Sequence, residues 1–145
     1  MKKKKSLPVG RHGFTLIELL IVMSVIGILV AFLIPTFAKV QDRARESGVK
    51  SVAHNVQVAV ESYNMVNETY PVATDITLKN LFENYLKTAE VMNNLPKNPF
   101  TGKPYEETDL AGKIMYAFDI PANIYKITAY NKSGLKQILE LTNMD

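Results

Sequence analysis

No cysteine occurs in this 145-residue chain, so no disulfide can hold it together in an oxidising compartment. Histidine is almost absent. His12 and His54 have no cysteine, second histidine or close carboxylate at ligand spacing, and both read as surface residues. Nucleophile–base pairings, Gly-rich phosphate loops and metal motifs are also missing. No catalytic residue, metal or cofactor is therefore expected, and the chain does not read as an enzyme. Internal repeats are lacking, and the one low-complexity segment is a run of four lysines, Lys2 to Lys5.

Charge is missing from one long stretch. Residues 19–38 are 20 consecutive uncharged positions, which as a helix span about 30 Å, the hydrocarbon thickness of a bilayer. An ordinary secretory signal fits poorly, because its apolar region is only about 7–15 residues long and ends in a small-residue cleavage site. Here Lys39-Val40-Gln41-Asp42-Arg43 follows as if the helix simply continues. Ahead of the stretch lies a basic leader, residues 1–13, with Lys2, Lys3, Lys4, Lys5 and Arg11. Lysines on that side predict a cytoplasmic N-terminus and an exported C-terminal part. The net charge of +3 belongs mostly to this leader. Without it, 12 basic residues face 14 acidic ones. The basic balance therefore does not argue for nucleic-acid binding, and none is expected.

At the leading edge of the apolar run stands Glu18, in Phe14-Thr15-Leu16-Ile17-Glu18-Leu19-Leu20. An acidic residue at a helix centre in lipid costs about 2.5–3.5 kcal/mol, so Glu18 asks for a function. Its plainer reading is a carboxylate near the cytoplasmic end that snorkels into the headgroups.

Residues 14–66 are predicted to form one long helix, apolar on all sides in its first half. Gly27 and Pro35 interrupt it, and the proline should kink or loosen it. Beyond Lys39 the helix becomes amphipathic. Val49, Val52, Val56, Val60 and Tyr63, with Ala53 and Ala59 beside them, recur every three or four residues and should carry a globular head. Glu46 and Lys50 are placed to pair on the outer side. Residues 67–75 read as a loop, with Tyr70-Pro71 breaking the helix. Leu78, Leu81, Phe82, Tyr85 and Leu86 predict a short amphipathic helix over 77–92. Residues 95–105 hold three prolines and a glycine and read as an ordered, turn-rich loop. Strands are predicted at 113–119, 124–131 and 135–141, with Asn131-Lys132-Ser133-Gly134 as a hairpin turn. On the middle strand Tyr125, Ile127 and Ala129 should face one way, opposite Lys126, Thr128 and Tyr130, and one face of the sheet should pack on the helix stripe. The fold class is α+β: a long N-terminal helix packed on a small head with a short helix and about three antiparallel strands. The domains are a leader (1–13), a membrane helix (14–38) and a head (39–145).

A basic leader, Gly13, Phe14 and then Thr15-Leu16-Ile17-Glu18-Leu19 resembles the type IV prepilins, which include the pseudopilins of type II secretion. The resemblance is strong over the first 40 or so residues and weaker beyond. It implies a pilin-like fold and cleavage between Gly13 and Phe14 by a prepilin peptidase that also N-methylates Phe14. It implies pairing of Glu18 with the amine of Phe14 on a neighbouring subunit, which would set the stagger between subunits. It implies local melting near Gly27 and Pro35 on assembly. The apolar helix would first anchor the subunit in the inner membrane and then form the core of a helical homopolymer. The chain carries no nucleotide site, so the resemblance implies a cytoplasmic assembly ATPase, a polytopic platform protein, and minor pilins or pseudopilins as further partners.

Beyond the N-terminal motif the residues resemble two kinds of filament subunit. Tyr70-Pro71, the lack of cysteine, and Pro99, Gly102, Pro104 and Tyr105 resemble the major pseudopilins of type II secretion, whose filament is a periplasmic pseudopilus driving protein export. Phe100-Thr101 stands where tryptophan-glycine is common in that group, and its Asp-rich calcium loop is missing. Asp109 and Asp119 are read as solvated loop acids. These departures, with the short hairpin ending, resemble a small type IV pilin used for adhesion, motility or DNA uptake. A DNA-receptor role would want a basic head. Residues 39–145 hold 12 Lys and Arg against 13 acids, which argues against it.

Overall fold

The computed structural model describes residues 13–144. The rest of the leader with His12, together with Asp145 and the side chains of Pro35 and Thr36, lies outside the described residues. The chain divides after Lys39 into two compact units.

Helix α1 runs over Leu16–Asn67, and the helical backbone continues through Gly27 and Pro35. Its start is fixed by a reciprocal cap. The Glu18 backbone N–H donates to Thr15 Oγ1 at 3.2 Å. The Thr15 backbone N–H and hydroxyl donate to Glu18 Oε2 at 2.9 and 2.8 Å. A Thr and a Glu three residues apart thus satisfy donors that a helix terminus otherwise leaves orphaned. Through residue 34 every described side chain of α1 is exposed. The helix is long and apolar enough to cross a membrane.

The second unit holds the remaining elements: β1 (Ile76–Thr77), α2 (Leu78–Leu81), β2 (Ile114–Asp119), β3 (Ile124–Tyr130) and β4 (Gln137–Thr142). The strands form one antiparallel sheet in the order β1-β2-β3-β4. This is the expected α+β architecture with one more strand than predicted. β1 is two residues long, too short for any periodicity to show. The expected helix over 77–92 is also corrected. It is four residues of α-helix, capped by Thr77 Oγ1 accepting from Asn80 N–H, followed by a π-helical turn, Phe82–Leu86. Leu78, Leu81, Phe82 and Leu86 are all buried through this widened geometry. A left-handed Glu90, φ 56°, follows the turn. The last strand begins at Gln137 rather than 135, because Leu135 belongs to the turn: its N–H donates to Ser133 Oγ.

The helix stripe and the sheet share one core. Val49, Ala53, Val56 and Val60 of α1 are fully buried with Tyr125, Ile127 and Ala129 of β3. Val52 and Tyr63 pack at its margin. The expected Glu46–Lys50 pair is not among the ion pairs of the described residues. Asp42 instead meets Lys132 at 3.0 Å, so the charge at this end of the head ties helix to hairpin turn.

Polar bonds lock the other end. Half-buried Glu61 on α1 accepts the Tyr125 hydroxyl at 2.6 Å and the Tyr70 hydroxyl at 3.1 Å. The Tyr70 and Tyr125 rings meet edge to face, 5.0 Å between centroids. Tyr116 donates to the Pro71 carbonyl at 2.9 Å. Burial lifts the Tyr105, Tyr116 and Tyr125 phenols well above their ordinary value of 10.0. Tyr70 is also raised, by burial and then by its bond to Glu61.

Three outcomes are expected. Glu61→Ala strands two tyrosine hydroxyls and lowers head stability by about 2 kcal/mol, read as a shifted denaturation midpoint of the full chain in detergent. Thr15→Val removes the cap and costs about 1 kcal/mol at the helix start, seen as faster amide exchange at Leu19 and Leu20 with the head unaffected. The raised phenols keep their protons in the folded state while the unfolded chain releases them. Their contribution is whole below the unfolded value of 10.0 and is lost as pH rises above it. Midpoints should be level from about pH 8 to about pH 10 and fall beyond; a level profile up to about pH 11.5 would refute this.

Candidate functional site

The residues singled out by sequence lie in two places. The first is the start of α1. Gly13 and Phe14 precede the helix, and both are exposed, Phe14 by 81%. No described atom lies within 4 Å of a side chain built at Gly13, so the Gly13-Phe14 junction is open on the described side. Glu18 is one turn further on and is also exposed. Its Oε2 takes both Thr15 bonds, and no described residue donates to Oε1.

The cap is what sequence reasoning missed. Its signal, Thr-x-x-Glu ahead of an apolar run, was present at Thr15 and Glu18. The arrangement supplies a third account of Glu18 beside lipid snorkelling and subunit pairing. Within one chain its carboxylate is already oriented by Thr15, with one oxygen still available to a cation.

Gly27 is exposed, with nothing within 4 Å of a side chain built there. A substituent at 27 would be tolerated inside a single chain, so any constraint on it comes from what surrounds the helix. At Pro35 the helical backbone is unbroken.

The second place is the turn-rich loop. Its organiser is Asn98, fully buried, which the sequence reading passed over in favour of the prolines around it. Asn98 Nδ2 donates to Asp109 Oδ2 at 3.0 Å and to the Ala111 carbonyl at 2.8 Å. Its Oδ1 accepts the Phe100 N–H at 2.9 Å, an Asx turn whose signal is an Asn two residues ahead of the closing amide. Asp109 also accepts the Glu106 N–H at 3.0 Å. That carboxylate, expected to be a solvated loop acid, is instead half-buried and holds two loop segments together. Asp119 accepts the Ala122 N–H at 3.3 Å. Tyr105 is buried and donates to the Gly112 carbonyl at 3.0 Å. Pro99 seats against Gly48 of α1, where a Cβ would come within 3.0 Å of the proline ring. Among the described residues no group of three or more His, Cys, Asp or Glu is placed to hold a metal ion. This loop is scaffolding that closes one end of the core.

The comparisons agree with this division. The family described as the prokaryotic N-terminal methylation motif matches residues 10–34. Along most of its length the chain is similar to the type II secretion system core protein G of Pseudomonas aeruginosa, 29% identical over 86% of this chain and 87% of that one. It is 34% identical to a fimbrial protein of Neisseria meningitidis over 59% of this chain and 52% of that protein. It is 43% identical to the type IV major pilin protein PilA of Myxococcus xanthus over 41% of this chain and 27% of that protein. The chain thus spans about a quarter and about a half of the two pilins' lengths. No solved structure matches. An N-terminal methylation motif, an apolar helix fit to cross a membrane, an α+β head and relatives of both kinds have one reading in common: this chain is similar to the type IV pilins and pseudopilins, families of structural subunits and not of enzymes.

Proposed function

We propose that the chain is a major pseudopilin of a type II secretion system, made as a single-pass inner-membrane precursor with its N-terminus in the cytoplasm. The observation that carries this is the extent of likeness. Similarity to the secretion core proteins G of Pseudomonas aeruginosa and Vibrio cholerae runs over 87% and 73% of their lengths. In this reading a prepilin peptidase cuts between Gly13 and Phe14 and the new Phe14 amine is methylated. The mature subunits polymerise with residues 14–38 in the filament core and the head, 39–145, outside. Head-to-tail contacts of this kind give open filaments when the rotation does not close. Glu18 pairs through its unused oxygen with the Phe14 amine of a neighbour, since a carboxylate left unpaired in a dry core would be penalised. Thr15 holds the carboxylate ready for that pairing. Gly27 and Pro35 mark where the helix loosens as the subunit leaves the membrane. An assembly ATPase, a platform protein and minor pseudopilins supply energy and initiation.

A second reading, a type IV pilin of a surface pilus, is favoured by the higher identities over shorter stretches, such as 49% over 47 residues to a narrow-pilus major component of Thermus thermophilus.

A deletion strain separates the two. Export failure, with secreted proteins retained in the envelope and no sheared surface fibres in the parent, is the expected result. Abundant fibres with unchanged secretion would assign the chain to a surface pilus instead. In either filament, Glu18→Ala should insert normally in the membrane and fail to assemble. Normal filaments from that variant would remove the pairing role.

A further inference from the structure

The turn between β3 and β4 is built as a firm tip. Asn131 N–H donates to the Lys136 carbonyl at 2.9 Å. Its Oδ1 accepts the Ser133 hydroxyl at 2.8 Å and the Lys136 N–H at 3.3 Å. Gly134 is left-handed, φ +71°, and a Cβ there would strike the Leu110 carbonyl at 2.5 Å. The turn is therefore seated directly against the loop that carries Leu110. On this firm base stand two leucines that the fold leaves in water, Leu135 at 86% exposed and Leu110 at 69%. Exposed lysines, Lys132 and Lys136, flank Leu135.

Lys132 reaches Asp42 of α1 at 3.0 Å, with its side chain still 59% exposed. An ion pair this exposed contributes little, so Lys132 can exchange Asp42 for another anion. Asp42 stands four residues after the uncharged run ends at Ala38, and exposed Arg43 adjoins it. In sequence, the residue that Lys132 contacts thus lies close to the apolar segment.

We propose that this leucine tip is a docking surface for an anionic bilayer, the same bilayer that holds the apolar segment of the precursor. Leu135 and Leu110 enter the boundary between headgroups and acyl chains, and Lys132 and Lys136 meet lipid phosphates. An apolar side chain flanked by lysines, as Leu135 is by Lys132 and Lys136, suits a lipid surface, where binding scales with apolar area buried plus attraction to anionic headgroups; Leu110 follows Glu106, Glu107 and Asp109 on its loop and adds apolar area only. The docked tip would hold the head down until the subunit is extracted. The inference rests on the membrane-anchored reading above.

The absence of cysteine makes the test clean, since a single introduced thiol labels one place. The full chain is reconstituted in vesicles of phosphatidylcholine, with or without about 30% phosphatidylglycerol. An environment-sensitive fluorophore is placed at Ser133→Cys, at Val25→Cys for the anchor, or at exposed Thr74→Cys as a control. A nitroxide borne by lipid is the quencher. We expect Val25→Cys to be quenched in both lipids, Ser133→Cys only in the anionic one, and Thr74→Cys in neither. The Ser133→Cys signal should be relieved by about 0.5 M salt. The pair Lys132→Glu and Lys136→Glu should lower its quenched fraction about tenfold or more. An unquenched Val25→Cys would overturn the anchored reading itself. A quenched anchor with Ser133→Cys unquenched, or quenched equally in both lipids, would overturn the docking alone. Shielding of the tip that tracks protein density rather than lipid charge would make its occupant a second copy of the chain, which also overturns it.

Discussion

Twenty uncharged residues, 19–38, are helical, and every described side chain among them is exposed. An apolar surface of that extent cannot stay in water, because burying it is the largest favourable contribution available to a chain. Its cover has to come from outside the described chain, and in the proposed function it is first lipid and then further copies of the same helix. Glu18 and Thr15 sit where that surface begins, so whatever covers it must accommodate a carboxylate at a fixed place.

The head, by contrast, keeps most of its apolar surface inside. Val49, Ala53, Val56 and Val60 are sealed against the inner face of β3. Valine is a mediocre helix former, so this part of α1 depends on the sheet for its helical state. Glu61 then pins the far end through two tyrosines, and Asn98 pins the near end through a loop that sequence alone would describe only as proline-rich. No disulfide is available, and these buried polar hubs hold the ends that a covalent link would otherwise hold. Each hub leaves unsatisfied groups behind if removed, which is costly out of proportion to the bonds it makes.

The periodic features were legible. The stripe on α1, the shared face of Tyr125, Ile127 and Ala129, and the turn at Asn131 to Gly134 all follow from spacing, because helix and strand periods leave a direct trace in the order of residues. Features made by long-range pairing were not. β1 is two residues that become a strand only because β2 lies beside them. The π-helical turn at Phe82–Leu86 arises where four apolar side chains must all reach one core. Leu135 was assigned to a strand by its type, yet the hydrogen bonds of Asn131 and Ser133 claim its backbone for the turn and leave its side chain outside. At the candidate site the positions of Gly13, Phe14 and Glu18 were legible as a motif, while the cap between Thr15 and Glu18 was overlooked although its pattern was there.

The sequence by itself determined that one end of the chain is apolar all round and the other amphipathic, because both are one-dimensional patterns along a single helix. It also determined where the lone acidic residue of the apolar end falls. Only the tertiary structure decided which polar residues are structural. Asn98, Asp109 and Glu61 look like any other loop or helix residues until the fold brings their partners from 9 to 64 residues away, and a hydrogen bond across that separation leaves no trace in local order.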